Sequence, residues 1–433
     1  MYKSNYDKYP SIPVNGTVWH GWNSIAQQLE KDIKEKAGSN YILAVECYHG
    51  VCHEELLNGF KLIPYKLFIN TADLFRSEKD ILEMTYPDVT DDEIFGNITR
   101  LSLSDFFDKV KVSQTADKIN KTNGVIIIYG YGASLISEKI DMLIYADMPR
   151  WEIQLRQRRN EISNIGISNK DESPALQYKR GYFVDWRVCD KLKKSLFSKA
   201  SYWLDTVTKD FPKMIEGKTL LEGLENTIKR PFRVVPFFDP GPWGGQWMKE
   251  VCGLDKQVEN YAWCFDCVPE ENSLLLNVSG ITFEIPSINL VFYKASELLG
   301  EPVESRFGQE FPIRFDFLDT IKGGNLSLQV HPTTQYIREQ FGMSYTQDES
   351  YYILDAEPGA EVYLGLKEGI SSNEMIDDLK YAQNNDTIFN TDIYVNKFSA
   401  KKHDHFLIPN GTIHCSGANS MVLEISATPY IFT

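Results

Sequence analysis

Three short segments, far apart along the chain, carry residues that can hold one metal ion, and this requirement restricts how the second half of the sequence folds. In residues 326–332, Gln329 and His331 stand two positions apart in an apolar alternation. On a strand, both side chains therefore leave by the same face. Glu349 and His414 follow in later segments and can complete the site. Imidazole, carboxylate and amide ligands suit zinc or a similar divalent ion with one position open for water or substrate.

The region from residue 231 onward consists of short alternating segments separated by Gly, Pro and Asn, such as residues 273–278 and 360–365. This pattern predicts many antiparallel strands and therefore a sandwich or barrel. A lone strand histidine is usually a hydrogen-bonded core residue. Four candidates with matching chemistry favour a metal site instead, and in a barrel inward-facing residues of several strands converge.

The first region, residues 1–165, has a different pattern. Continuous apolar runs at residues 41–47, 124–130 and 141–146 alternate with helix-like stretches. Such runs predict a mostly parallel sheet with helices on both faces. Residues 166–230 are polar and lysine-rich, and they predict a helical connector. The fold class is therefore α/β plus all-β, with a connector between the two domains.

Size and charge restrict the function. A chain of 433 residues is too long for one ordinary core. The net charge of −15 argues against nucleic-acid binding. No apolar run is long enough to span a bilayer, and the first residues have no apolar signal core. With seven scattered cysteines, these features predict a cytoplasmic protein without a membrane or nucleic-acid partner.

The second region resembles the type I phosphomannose isomerases, which are zinc-dependent cupins, so it is expected to form a jelly-roll barrel over residues 231–433. The similar segments occur in the family's order at residues 234–245, 311–319, 325–332, 348–360, 408–414 and 423–425. The resemblance implies that the chain interconverts mannose 6-phosphate and fructose 6-phosphate through an enediol. It also implies a single zinc ion on Gln329, His331, Glu349 and His414. Trp243 and Ser327 lie in the matching segments and are candidate substrate contacts. His405 forms a His-x-His pair with His403; this pair is either a solvated surface feature or contacts the substrate at the mouth of the barrel.

Two departures from the family concern catalysis. Asp316 stands where the family typically has a lysine; Arg314 on the same strand face and Lys322 in an apparent insertion are candidates to replace it. The general base stays open between Asp319, Glu357 and a metal-bound water. The catalytic candidates are therefore Arg314, Lys322 and Asp319.

The second departure lies at the end of the chain. The family has a catalytic arginine on the strand after the Leu-Glu-Ile segment, and its position falls just past Thr433. Residues 428–433 form an apolar, strand-like tail without a turn. We therefore expect the sequence to be truncated at its carboxyl end.

The first region resembles a P-loop kinase of the uridine kinase type, but its motifs are degenerate. Residues 46–55 stand where the phosphate-binding loop is expected and lack Gly-Lys-Ser/Thr. We therefore expect no nucleotide-binding residues and a pseudokinase. Arginines that follow the third apolar run either grip a phosphate or form an exposed helix face; they are Arg150, Arg156, Arg158 and Arg159.

Two hypotheses follow. The first is a zinc-dependent aldose-ketose isomerase fused to a degenerate kinase-like domain, with a small-molecule sugar phosphate as its partner. The alternative is a non-catalytic, metal-bearing cupin that binds a sugar or sugar phosphate, with the pseudokinase as a regulatory domain.

Overall fold

The computed structural model describes residues 4–36 and 40–428 of the chain. The chain forms two compact units. The α/β unit comprises Tyr9–Val235 and Pro269–Phe311, and the β unit comprises residues 4–8, Pro236–Val268 and residues 312–428. Within these residues every helix is too short or too polar to cross a bilayer. Residues 429–433, which carry most of the apolar tail, lie outside the described residues.

Strands occur in both units. They are β1 (Ser11–Val14), β2 (Val18–His20), β3 (Asn40–Cys47), β4 (Leu67–Asn70), β5 (Gly124–Gly130), β6 (Met142–Asp147), β7 (Tyr202–Asp205), β8 (Lys213–Glu216), β9 (Phe237–Asp239), β10 (Trp263–Cys267), β11 (Ser273–Val278), β12 (Ile281–Pro286), β13 (Arg314–Asp319), β14 (Asp348–Ala356), β15 (Glu361–Leu366), β16 (Val395–Ser399), β17 (His405–Ile408), β18 (His414–Ser416) and β19 (Ser420–Ala427).

Helices lie mainly in the α/β unit. They are α1 (Trp22–Lys36), α2 (His53–Phe60), α3 (Glu78–Val89), α4 (Lys109–Lys121), α5 (Arg150–Arg158), α6 (Pro174–Arg180), α7 (Trp186–Lys194), α8 (Gly217–Ile228), α9 (Trp247–Val251), α10 (Ile288–Leu299), α11 (Glu301–Phe307), α12 (Thr334–Phe341), α13 (Ser372–Asn385) and α14 (Thr391–Tyr394). A π-helical turn, Gly181–Asp185, joins α6 to α7.

The main sheet of the α/β unit has the strand order β2-β8-β7-β6-β3-β5-β4. Strands β4, β5, β3, β6 and β7 run parallel, and β8 and β2 add an antiparallel edge. The central strands β3 and β6 are almost entirely buried, as continuous β-branched and apolar runs require. The prediction of a mostly parallel sheet built on three apolar runs is confirmed.

The predicted helical connector over residues 166–230 is wrong in part. Helices α6, α7 and α8 form there, but β7 and β8 lie between them and extend the main sheet. Every residue of β7 is buried, so this short apolar segment has the environment of a sheet core and not of a linker. Residues 166–230 therefore belong to the α/β unit.

The predicted boundary at residue 231 also differs from the structure. Strand β11 pairs in parallel with β1 and antiparallel with β12, which places Pro269–Phe311 in the α/β unit. The alternation of residues 273–278 does form a strand. A period-two pattern says nothing about the partner strand, and here the partner is supplied by the amino-terminal end of the chain.

Two antiparallel sheets build the β unit. One has the order β17-β14-β19-β13-β10-β9 and the other the order β16-β15-β18. The main core lies between them, because its buried residues come from both sheets, including Tyr351, Ile353 and Val422 on one side and Val362 and Val395 on the other. The expectation of an antiparallel sandwich or barrel is confirmed at this level of detail.

Candidate metal centre

The four predicted ligands come together in the β unit. Glu349 lies near the start of β14, His414 begins β18, and Gln329 and His331 lie in the segment opposite β18. Gln329 and His414 exchange two backbone hydrogen bonds, of 3.0 and 2.9 Å. Antiparallel pairing therefore joins the segments of Gln329 and His414, whereas Glu349 comes from the other sheet of the β unit.

The segment that carries Gln329 and His331 is not the regular strand that its alternation predicts. The Leu326 N–H donates to Ser416 O, and the Gln329 N–H donates to His414 O. Between these two hydrogen bonds the first segment advances by three residues, whereas β18 advances by only two. Such an extra residue is a bulge, which changes the direction of the side chains. Only a single bridge, at Gln329, remains of the predicted strand.

The ligand atoms of His331, Glu349 and His414 all lie within 4.8 Å of one another, and all three residues are buried. His414 Nε2 lies 2.5 Å from Glu349 Oε1, and His331 Nε2 lies 3.3 Å from Glu349 Oε2. The amide nitrogen of Gln329 lies 3.3 Å from His414 Nε2, and rotating that amide by half a turn brings its oxygen to the same position. One ion can therefore contact all four side chains.

Hydrogen bonding fixes which nitrogen of His414 is available. Its Nδ1 lies 2.9 Å from the carbonyl oxygen of Thr412, so Nδ1 carries the proton and donates it. Nε2 then faces a carboxylate oxygen, and two acceptors this close need either a proton or a metal ion to bridge them. Among the described residues neither ring nitrogen of buried His331 makes a hydrogen bond, although its Nε2 lies 3.3 Å from Glu349 Oε2. These residues fit a divalent ion bound by imidazole nitrogens and a carboxylate.

Glu349 belongs to a row of buried carboxylates. Burial opposes its ionisation, but the two imidazoles outweigh burial and lower the pKa of Glu349. Asp316 of β13 and Glu424 of β19 are paired. Burial and the neighbouring carboxylate of Glu349 raise the pKa of Asp316 to about 7, and Arg314 opposes this rise. Burial and neighbouring carboxylates also raise the pKa of Glu424 well above its usual value. The Gln347 amide donates to Glu349 and Glu424, at 2.6 and 3.1 Å.

Arg314 lies at the level of the ligands. Both Arg314 and Glu349 are paired with Ser426 of β19, one from each side, and all three side chains are buried. Directly paired residues share a face with Cβ atoms about 5 Å apart. Arg314 and Asp316 alternate inward on β13, as the sequence predicts for one strand face. Arg314 therefore lies about two strand spacings from the metal ligand.

Asp319 lies elsewhere, which argues against the catalytic role predicted for it. Asp319 is paired with Met421 of β19. Along β19, Met421 lies five residues, or about 16 Å, from Ser426, which marks the level of the metal ligands. Its carboxylate accepts hydrogen bonds from the N–H groups of Met248 and Ile321, at 2.7 and 3.0 Å. Burial raises its pKa to about 6, and the backbone donors oppose that rise. Asp319 thus fixes the start of α9.

Lys322 and Glu357 are also distant candidates. Lys322 is exposed in the turn that follows Asp319, at the end of β13 opposite Arg314. Glu357 follows the last residue of β14, whereas Glu349 lies near its first, so about 26 Å of extended chain separates them. Neither side chain reaches the metal ligands from these positions.

The predicted substrate contacts are not brought together. Trp243 is buried in the apolar core, with its ring 4.7 Å from that of Trp263. His405 is paired with Tyr352, an odd number of residues from Glu349, so it faces away from the metal ligands. Ser327 is exposed and lies two residues before Gln329. Of the three, only Ser327 lies on a segment that carries ligands.

Sequence reasoning missed the roles of Glu424 and Gln347. Glu424 is a charged residue on the inward face of an apolar strand, between buried Val422 and Ser426. That alternation was a usable signal for a buried polar row. Gln347 precedes β14 outside any strand, and no pattern in the sequence identifies it.

A family model described as "Domain of unknown function (DUF8485)" matches residues 21–229 of the chain. The matched residues lie within the α/β unit. This likeness assigns no activity to that unit.

The curated relatives are mannose-6-phosphate isomerases. The enzyme from Streptococcus mutans is 28% identical over 184 residues, which cover 42% of this chain and 52% of the relative. The probable mannose-6-phosphate isomerase GmuF of Bacillus subtilis is 25% identical over 210 residues, covering 46% and 58%. The chain thus spans about half the length of the curated relatives it matches.

Solved structures of similar proteins carry related names. The mannose 6-phosphate isomerase of Bacillus subtilis matches with a TM-score of 0.37 and 21% identity, over 45% of this chain and 57% of that one. A putative mannosephosphate isomerase from Archaeoglobus fulgidus matches with a TM-score of 0.37 and 22% identity, over 44% and 59%.

Proposed function

We propose that the chain is a divalent-metal-dependent isomerase of sugar phosphates, with zinc as the ion and mannose 6-phosphate and fructose 6-phosphate as substrates. The observation that supports this most is the convergence of Glu349 with His331 and His414 in one buried site, where their possible ligand atoms all lie within 4.8 Å of one another. The names of the curated relatives specify mannose 6-phosphate as the substrate of an isomerase. In this proposal the β unit is a cupin and the enzyme is cytoplasmic.

The reaction moves a proton between C1 and C2 of the open-chain sugar through an enediol. A bound divalent ion supplies Lewis-acid polarisation of substrate oxygens. The residues of the chain position that ion and exclude water: Gln329, His331, Glu349 and His414 bind it, and the Thr412 carbonyl orients His414. Glu424, hydrogen-bonded through Gln347, lies beside the ligands and is a better-placed proton carrier than Asp319 or Glu357.

Substrate phosphate needs a cation. Arg314 is the proposed one, because it is buried at the level of the ligands and its guanidinium stays charged. Lys322 lies at the opposite end of β13, so it does not serve this role in the proposal.

A second candidate function is a metal-bearing module that binds a sugar without turnover. Asp316 favours it, because this buried carboxyl, whose pKa burial raises to about 7, adds negative charge near Glu349 whenever it ionises. Ionised Asp316 would repel a phosphorylated substrate. In this version the α/β unit is a degenerate P-loop kinase-like regulatory domain, with His49 and Gly50 in the loop after β3.

A coupled assay of fructose 6-phosphate formation by the zinc-loaded chain tests the two candidates. We expect turnover in the natural sequence and in the control His405→Ala, whose side chain faces away from the ligands. His331→Ala should lose at least a hundredfold in kcat/KM, since a metal ligand is removed. Zinc-loaded protein that binds mannose 6-phosphate without turnover would establish the second candidate instead.

A further inference from the structure

A cavity of about 890 Å³ lies in the α/β unit, apart from the metal centre. Its lining includes Gly130 at the carboxyl end of β5, Thr71 just after β4, and the start of α2 after β3. In open parallel sheets, ligands bind outside the carboxyl ends of the strands. The size of the cavity suits a small metabolite.

Two features of the cavity lining offer hydrogen-bond donors, the start of α2 and the hydroxyl of Thr71. Helix α2 begins at His53, its first-turn N–H groups have no acceptor within the helix, and Cys52 provides no side-chain cap. Thr71 lines the same cavity; it is fully buried, and within residues 4–36 and 40–428 its hydroxyl has no hydrogen-bond partner. The Thr71 hydroxyl lies against the Gly130 backbone, because a Cβ on Gly130 would collide with Thr71 Oγ1. A buried hydroxyl without a partner is costly unless a ligand satisfies it.

Charges at the rim leave a positive excess. Arg156 and Arg159 are neutralised by ion pairs with Glu152 and Glu161. Three further charged residues line the cavity, are exposed and form no ion pair among the described residues; they are Arg76, Lys209 and Glu54. Two cations, one anion and a helix N-terminus favour an anionic ligand.

The loop before α2 limits how many anionic groups can be bound. The Gly50 carbonyl accepts a hydrogen bond from Arg156 at 2.8 Å, so the loop is tied to α5. Tyr48 and His49 are buried and bonded to Asp190 and Ser163. No lysine extends from this loop, so a nucleoside triphosphate lacks the contacts that it needs.

We propose that this cavity binds a small molecule with one phosphate or carboxylate group, and that this group lies at the N-terminus of α2 against Thr71. Arg76 and Lys209 at the rim increase the rate and strength of binding through long-range attraction. The remainder of the ligand occupies the rest of the cavity, whose lining includes Phe75 and Tyr131.

The test uses the full chain carrying His331→Ala, which separates this site from the metal centre. Inorganic phosphate, mannose 6-phosphate, gluconate and neutral mannose are each titrated by calorimetry, with hydrogen–deuterium exchange followed in residues 49–56. We expect at least one anion to protect this segment, with affinity falling as salt rises. Protection by mannose 6-phosphate but not gluconate identifies a phosphate ester, and the reverse identifies a carboxylate.

Thr71→Val is the decisive variant. It removes an unpartnered hydroxyl, so the protein should be at least as stable as before, while affinity for the anion falls about tenfold. Thr227→Val is the matched control, because its buried hydroxyl is bonded to Gly223 O away from the cavity. Unchanged affinity in Thr71→Val, equal binding of neutral mannose, or no protection by any anion would overturn the proposal.

Discussion

Replacing Lys193 with methionine should destabilise the α/β unit by about 3 kcal/mol, because it breaks a buried charge network. Lys193 is fully buried, and its ammonium lies 2.7 Å from Asp147 Oδ1 and 3.0 Å from Asn289 Oδ1. It also lies 4.0 Å from the centre of the Tyr48 ring. Methionine preserves most of the packing of the aliphatic part of the lysine side chain, so the lost free energy of unfolding is electrostatic. Asp147 retains only neutral donors, Met148 N–H and Asn289.

Urea unfolding followed by circular dichroism measures this loss. With a slope of about 3 kcal/mol/M, the midpoint should fall by about 1 M. Lys199→Met, at an exposed lysine, should leave the midpoint unchanged. A double-mutant cycle with Asn289→Leu should give a coupling of about 1 kcal/mol or more, because the two side chains are in contact. A loss below about 1 kcal/mol would refute the buried charge network, and zero coupling would refute the contact of Asn289, in Pro269–Phe311, with Lys193.

Three further outcomes follow from the structure. Acid should destabilise the chain through His49, whose neutral ring accepts a hydrogen bond from Trp186 and donates one to the Ser163 carbonyl. Burial lowers the pKa of His49 in the folded chain, so the unfolded chain binds a proton that the native chain excludes. The free energy of unfolding should therefore decrease as the pH is lowered past about 6.5. His49→Gln should reduce that dependence in urea titrations, whereas His20→Gln at an exposed position should not. Gly59→Ala should lower the unfolding temperature, because its Cβ would overlap the Trp22 ring; normal melting would contradict this close approach. A fragment of residues 9–235 lacks β11 and Asn289, and it should show no cooperative unfolding transition in circular dichroism.

The sequence predicts well those features that depend on local pattern. Strands β3, β5 and β6 are continuous apolar runs, and their burial on both faces follows from that composition. The choice of Gln329, His331, Glu349 and His414 rests on ligand chemistry and on a resemblance, and the structure brings their side chains together.

Features that depend on pairing were not predictable. The membership of β11 depends on its register with β1, which no periodicity encodes. The bulge before Gln329 is one extra residue in a pairing that only the fold defines. Asp319 follows Asp316 by three residues, yet the register of β13 places it about one strand length from the ligands. Short sequence separation did not imply a shared site.

Metal content is the most direct test of the central claim, that Gln329, His331, Glu349 and His414 form one metal centre. The purified full chain is loaded with zinc, freed of excess ion, and analysed by inductively coupled plasma mass spectrometry. We predict one ion per chain, less than a tenth of an ion in Glu349→Gln, and one ion in the control His405→Ala. An equal zinc content in Glu349→Gln, or no zinc retained by the natural sequence, would contradict the account.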